Sequence, residues 1–180
     1  MLFWKRRNER KREAMLRDVE AYLLAHYTQP KKLREAECSY MAMPMAAPMP
    51  MAAKRSVEAG LSELLEQTDA GFSETLLKLI DHSGKKDSYI YRKANVSRQH
   101  FSKIRNDPYY KPTKATAIAF ALALELDMEQ TKDLIGRAGY ALTNSSKFDV
   151  IIMYFIRNKN YDLNDVNAAL FAYDQSLLGV

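Results

Sequence analysis

The sequence predicts an all-α protein with one folded domain and extensions. From residue 72 onward, apolar residues recur at spacings of three and four in successive stretches, which is the period of an amphipathic helix. Ser, Thr or Asp, the residues that favour helix N-caps, precede several of these stretches. No segment shows the strict alternation typical of a strand. A chain of 180 residues that is 47% hydrophobic can bury one sizeable core.

Residues 1–40 are expected to form a basic amphipathic helix followed by a tail. Residues 1–17 hold seven Lys or Arg against two Glu. The pattern favours a helix packed on its own domain or on a partner over one that lies on an anionic membrane surface or contacts nucleic acid. The apolar positions at helical spacing are Met15, Leu16, Val19, Tyr22 and Leu23.

Residues 41–55 are expected to be a linker, because the run MAMPMAAPMPMAA has no charge and no periodicity. Its three prolines remove amide donors and disfavour helix at the preceding residues. The alternative is that its methionines form an adaptable binding surface. Residues 56–140 then form the predicted folded domain, which begins with a short helix near Ser56, and residues 141–180 form a C-terminal helical extension.

A helix is predicted after Ser73, its expected N-cap, and Gly84 is placed to end it. The next stretch, GKKDSYIYRKANVSRQHFSKIR, predicts two short helices around a tight turn. Ile90 and Ala94 stand four apart on one face of the first helix, and Val96 fills the turn. This arrangement is a helix-turn-helix.

In the second helix of this pair, Ser97 is the expected N-cap, and Phe101 and Ile104 are the expected buried pair. The side chains left facing outward can pair with bases or neutralise phosphate when a helix lies in the major groove. These predicted base-reading residues are Arg98, Gln99, Ser102 and Lys103.

The positive charge is concentrated around this motif. Residues 85–114 hold nine Lys or Arg against two Asp, although the whole chain carries a net charge of only +5. Such a local excess favours a polyanionic partner. A solvated basic face without a partner is the alternative.

Further helices are predicted downstream. Thr113 caps the run KATAIAFALALEL, whose apolar residues lie all round and predict the central buried helix. Asp127 caps the next helix, which closes a five-helix unit. Two more helices, SSKFDVIIMYFIRN and DLNDVNAALFAYD, are predicted after Gly139.

Four features follow one another in this part of the sequence: the run NVSRxxFSKIR, a proline-bearing basic loop, the helix from Thr113 and the Asp-capped helix ending in LIGRAG. Their order and spacing resemble those of the lambda-repressor-like, or Cro/C1-type, helix-turn-helix domains. The resemblance covers about residues 72–139. It implies that the second motif helix docks in the major groove of duplex DNA. It also implies a set of residues that contact the DNA backbone, namely Lys93, Arg105, Tyr110, Lys111 and Lys114.

Three positions depart from that family's pattern. Tyr91, Asn95 and Asp87 stand where the family has a small alanine, a turn glycine and a phosphate-contacting glutamine. Asparagine tolerates the left-handed geometry of the turn.

A longer stretch, from about residue 18 to the NAALFAYDQSLLG ending, resembles the C-terminal extension of certain bacterial macro-domain proteins. Macro domains bind ADP-ribose, and the glycine-rich loops that would hold it are missing here.

The composition argues against several classes of function. One cysteine, Cys38, cannot form an internal disulfide, and the three histidines are scattered, so no metal site or cofactor is expected. No residue has the surroundings of a catalytic nucleophile, so the chain is not expected to be an enzyme. The chain also lacks a long apolar run and a signal-peptide pattern, which favours a cytoplasmic location.

Two functions follow. The first is a bacterial transcription regulator that reads duplex DNA with helix 98–106, as a homodimer formed through residues after 140. The second is a helical module that binds a protein partner, associated with macro-domain systems. Tyr89, Tyr91, Tyr109 and Tyr110 favour the second, since tyrosine is common at interfaces. Binding of unpaired RNA bases by the same residues is a third option.

Overall fold

The computed structural model describes residues 2–29 and 70–179, with side chains from residue 8 onward. Every regular element in these two ranges is an α-helix, which confirms the all-α prediction. The predicted linker at 41–55, the short helix near Ser56 and Cys38 lie outside the described residues. The helices are α1 Leu2–His26, α2 Phe72–Ser83, α3 Asp87–Lys93, α4 Arg98–Asn106, α5 Lys114–Ala123, α6 Met128–Arg137, α7 Lys147–Arg157 and α8 Leu163–Ala172.

Three of the predicted N-caps are confirmed. The side chains of Ser97 and Thr113 each accept a hydrogen bond of 3.2 Å from the amide three residues ahead. Asp127 accepts from the amide of Gln130 at 2.8 Å, and the Gln130 side chain accepts in return from the amide of Asp127 at 3.2 Å. These local bonds satisfy amides in the first turn, which explains why α4, α5 and α6 begin where the sequence predicts.

The predicted start of α2 is wrong. Gly71 is the N-cap, the helix begins at Phe72, and Ser73 makes no capping hydrogen bond. Phe72 and Ser73 are both only 2% exposed, so the first turn of α2 is already packed against the core. The predicted end is confirmed, because Gly84 adopts left-handed geometry with φ +65° and donates its amide to the carbonyl of Asp81 at 3.1 Å.

Helix α5 lies at the centre of the domain, as predicted. Its residues from Ala117 to Ala123 are all buried, and it packs against α3, α6 and α8. Helix α4 packs on α2 and α3, α2 packs on α6, and α3 packs on α5, while α7 packs on α6 and α8. Small alanine side chains on α5 let these helices approach closely on several sides.

The N-terminal helix packs on the C-terminal helices, and α1 belongs to the same compact unit as residues 71–180. Val19 and Leu23 are buried against α7 and α8, and the Tyr22 ring meets the Tyr154 ring at 5.4 Å between centroids. The hydroxyl of Tyr173 donates to the carbonyl of Leu16 at 3.4 Å. This packing agrees with the predicted helix that rests on its own domain.

The last described residues lie over the turn between α3 and α4. Leu178 is fully buried, and the Asn167 side chain bonds both its amide, at 2.9 Å, and its carbonyl, at 3.1 Å. The carbonyl of Gly179 accepts a hydrogen bond from the side chain of Asn95 in the turn. Gly179 has φ +71°, and a Cβ there would stand 2.8 Å from the carbonyl oxygen of Ala94. The tail therefore couples α8 to the turn.

Candidate nucleic-acid interface

The turn between α3 and α4 has the geometry that the sequence predicts. Ile90 and Ala94 are fully buried, and Val96 is 8% exposed. Asn95 adopts left-handed geometry with φ +53°, which asparagine tolerates. The amide of Val96 donates to the carbonyl of Tyr91 at 2.8 Å and closes the turn. The angle between α3 and α4 is thus set by a buried turn residue and by backbone hydrogen bonds.

The inner face of α4 is anchored in the core. Phe101 is 4% exposed and Ile104 is fully buried. The ring of Phe101 lies 6.0 Å from that of Phe120 on α5 and 5.5 Å from that of Tyr91 on α3. Tyr91 is half-buried and fills space between α3 and α4. These contacts hold one face of α4 against the core and leave its other face outward.

All four predicted base-reading residues are exposed on that outward face. Ser102 accepts a 3.4 Å hydrogen bond from the side chain of Asn106 one turn ahead. In the part of the chain that the structure describes, the side chains of Arg98, Gln99 and Lys103 take part in no hydrogen bond or ion pair. They are therefore available to an external partner.

Three of the five residues predicted to contact the DNA backbone form ion pairs within the protein. Lys93 binds Glu125, and Arg105 binds Asp87. The pKa of Glu125 is lowered, first because Lys93 donates a hydrogen bond to its carboxylate and then because of the positive charges of Lys93 and Lys85. The Arg105 side chain is still 59% exposed, so its pairing leaves it within reach of solvent.

The third ion pair is largely buried. The Lys114 ammonium lies 2.6 Å from one carboxylate oxygen of Asp149 and 2.7 Å from the other. The Asp149 side chain is 1% exposed and also accepts hydrogen bonds from the amide of Thr143, at 3.0 Å, and from its hydroxyl, at 3.2 Å. Lys114 thus connects the start of α5 to the first turn of α7, which is a structural role.

The remaining two predicted backbone residues differ from each other. The hydroxyl of Tyr110 is 2.8 Å from the Nε2 atom of His100, and the Tyr110 side chain is half-buried. Lys111 is exposed and, in the described ranges, has no ion-pair or hydrogen-bond partner. Among the five, Lys111 and Arg105 are the cations that solvent reaches most readily.

Charge counting along the sequence missed these pairings. Glu125 and Asp149 lie outside residues 85–114 but bring two negative charges into contact with that segment. The three ion pairs join residues 18, 32 and 35 positions apart. Only the Asp87 pair lies within the window in which the charges were counted, so no short-range pattern could reveal the other two.

No family model, curated protein or solved structure matches the chain. The described residues contain no cluster of three His, Cys, Asp or Glu side chains suited to a metal ion. Within the same residues, no helix is long and apolar enough to cross a membrane.

Proposed function

We propose that the chain is a lambda-repressor-like helix-turn-helix protein that binds duplex DNA with α4 and regulates transcription in a bacterial cytoplasm. The outward face of α4 carries the proposal: Arg98, Gln99 and Lys103 are exposed and unpaired in the described structure, on a helix whose other face is fixed in the core. Unpaired cationic and amide side chains on an immobilised helix are what readout in the major groove requires.

Each proposed reading residue has a chemical match in the groove. Arg98 can donate two hydrogen bonds to the O6 and N7 atoms of guanine, and Gln99 can pair with the N6 and N7 atoms of adenine. Ser102 can donate to, or accept from, either type of base edge. Because Arg98 and Gln99 lie in the first turn of α4, they are the side chains that enter the groove most deeply when its N-terminal end points at the bases.

The proposed backbone contacts are unequal. Lys111 and Arg105 are the best placed to meet phosphate, because one is unpaired in the described structure and the other is more than half exposed. Lys93 and Tyr110 contribute less, since each is half-buried and bonded to another side chain. Lys114 holds Asp149, so its removal would weaken DNA binding mainly through the fold.

A homodimer would double the contacts of this small module and match a two-fold operator. We place its interface on residues after 140, on the part of α7 and α8 that α1 leaves uncovered. Phe171 on α8, which is 75% exposed, is the large apolar side chain on this surface.

The test is selection of DNA from a random duplex pool by the purified full chain at a stated salt concentration. The proposal predicts a recurring motif, and it predicts that Arg98→Ala/Lys103→Ala weakens binding to that motif by at least about tenfold. Lys11→Ala/Lys132→Ala is the matched control, because it removes two exposed charges that lie away from α4. No motif, or equal affinities of the two double variants, would refute the proposal.

The alternative is a protein-interaction module, and the internal pairing of Lys93, Arg105 and Lys114 favours it, because these residues carry less free charge toward a phosphate backbone than the sequence suggests. Tyr109, 90% exposed in the loop after α4, would be a contact residue in that case. A partner that is retained after nuclease treatment and lost on Tyr109→Ala, together with failure of the duplex selection, would support the alternative.

A further inference from the structure

A basic cleft lies on α3, and of the residues proposed for duplex binding it includes only Lys93. Its volume is about 680 Å³, which is within the range of ligand-binding clefts. Among the described residues, it is lined by α3 and by the two residues before it. The lining residues are Lys85, Lys86, Ser88, Tyr89, Arg92 and Lys93.

The cleft and α4 lie on different sides of α3. Ile90 is buried in the core, while Asp87 and Tyr91 face α4 through their contacts with Arg105 and Phe101. The helical period of about 3.6 residues then directs Tyr89 and its neighbours along the cleft to the opposite side. A ligand in the cleft could therefore be bound without displacing α4 from a DNA groove.

Positive charge is in excess in the cleft. Among the described residues, four cations line it, and the carboxylate that meets them is Glu125, which binds Lys93 and lies 3.8 Å from Lys85. Lys86 and Arg92 are exposed and, in the described residues, take part in no ion pair. The lowered pKa of Glu125 is consistent with this positive field. The cleft is suited to an anionic ligand.

Tyr89 distinguishes among anionic ligands. It is 52% exposed, and the Lys85 ammonium lies 5.7 Å from its ring centroid. A phosphate backbone binds cations and does not stack on an exposed aromatic ring. An unpaired base can stack on it, whereas the bases of a duplex are stacked on one another and cannot reach it. Cations interleaved with an accessible aromatic ring are typical of single-strand binding.

We propose that this cleft binds single-stranded nucleic acid, with an unpaired base stacked on Tyr89 and the adjacent phosphates held by Lys86 and Arg92. The proposal goes beyond the duplex binding assigned to α4 and does not depend on it. Tyr89 is the tyrosine that lines the cleft. Tyr109 is exposed but lies in the loop after α4, and Tyr91 and Tyr110 are half-buried in contacts with Phe101 and His100.

The experiment measures binding of the full chain to a fluorescein-labelled oligothymidylate of twelve nucleotides by anisotropy, at several salt concentrations. Tyr89→Ala is expected to weaken binding roughly 5- to 160-fold, the range for loss of one stacked base. Tyr89→Phe keeps the ring and is expected to bind like the wild type. Tyr140→Ala, which removes another exposed tyrosine, is the matched control. Far-UV circular dichroism confirms that each variant is folded.

Three results would overturn the proposal: no binding of the oligothymidylate by the wild type at low salt, equal affinities of Tyr89→Ala and Tyr140→Ala, or competition by an unlabelled duplex that is as effective as competition by the unlabelled single strand. Arg98→Ala/Lys103→Ala separates the two proposals. This double variant should lose affinity for the selected duplex yet bind the oligothymidylate like the wild type, and adding Tyr89→Ala to it should then weaken the binding of the oligothymidylate. Either activity can therefore be lost without the other.

Discussion

Replacing Lys114 by methionine should destabilise the fold by about 3–5 kcal/mol, the usual cost of removing one partner of a buried ion pair. The substitution leaves the Asp149 carboxylate, 1% exposed, with only the two hydrogen bonds that Thr143 donates. Lys111→Met is the matched control, since Lys111 is exposed and unpaired in the described structure. It should change the free energy of unfolding by less than about 0.5 kcal/mol.

The assay is urea unfolding followed by circular dichroism at neutral pH. For a chain of this size, a loss of 3–5 kcal/mol corresponds to a fall in Tm of roughly 6–20 °C. A double variant, Lys114→Met/Asp149→Asn, removes both charges while leaving an oxygen that Thr143 can donate to. It should regain about 1–3 kcal/mol relative to Lys114→Met alone, because the buried charge is gone. Equal stabilities of Lys114→Met and Lys111→Met would refute the assignment of Lys114 as a structural residue.

Gly179→Ala should destabilise the fold by about 1–3 kcal/mol, because φ is +71° and the new Cβ would stand 2.6 Å from Asn95 Cβ. Gly136→Ala should instead stabilise the fold by about 1 kcal/mol, because Gly136 lies in α6 and its new Cβ would meet nothing within 4 Å. Urea unfolding of the two variants compares these effects. Asp87→Asn should release Arg105 for a phosphate and steepen the dependence of log affinity for duplex DNA on log salt by about 0.9, and an unchanged slope would count against that contact. Glu125 has a lowered pKa, so its pairing stabilises the fold above its ordinary pKa of 4.5 and is lost as the pH falls through the lowered value. Glu125→Gln should therefore lower the free energy of unfolding by less than about 1 kcal/mol at pH 7. The variant should also lose less stability than the wild type as the pH falls, which thermal unfolding at several pH values measures. An equally steep loss of stability in acid for both proteins would contradict this.

Local chemistry made much of the fold predictable. Ser97, Thr113 and Asp127 cap helices by bonding to amides three residues ahead, so the information for these helix starts lies within one turn of sequence. The buried and exposed faces of α4 follow from helical periodicity in the same way. The prediction of Ser73 as the N-cap is wrong because Phe72 is drawn into the core, so that α2 begins two residues earlier than a cap at Ser73 would allow.

Features that join distant parts of the chain could not be predicted from the sequence. Lys93, Arg105 and Lys114 are residue types that commonly contact phosphate, and only the packing of α3, α4, α5 and α7 brings carboxylates to them. The contact of Gly179 with Asn95 likewise joins residues 84 positions apart. The cleft around Tyr89 could not be predicted for a related reason: the number of cations in a stretch of sequence does not tell on which face of α3 each of them lies.

The central claim is that α4 reads base edges, and the most direct test compares the motif selected from a random duplex pool by the wild type with that selected by Arg98→Ala. If Arg98 donates to guanine, the variant should lose its preference at one position of the motif, at a cost of about 1–3 kcal/mol for the preferred base, and keep its preferences elsewhere. An identical motif from both proteins, or no motif from the wild type, would contradict the account.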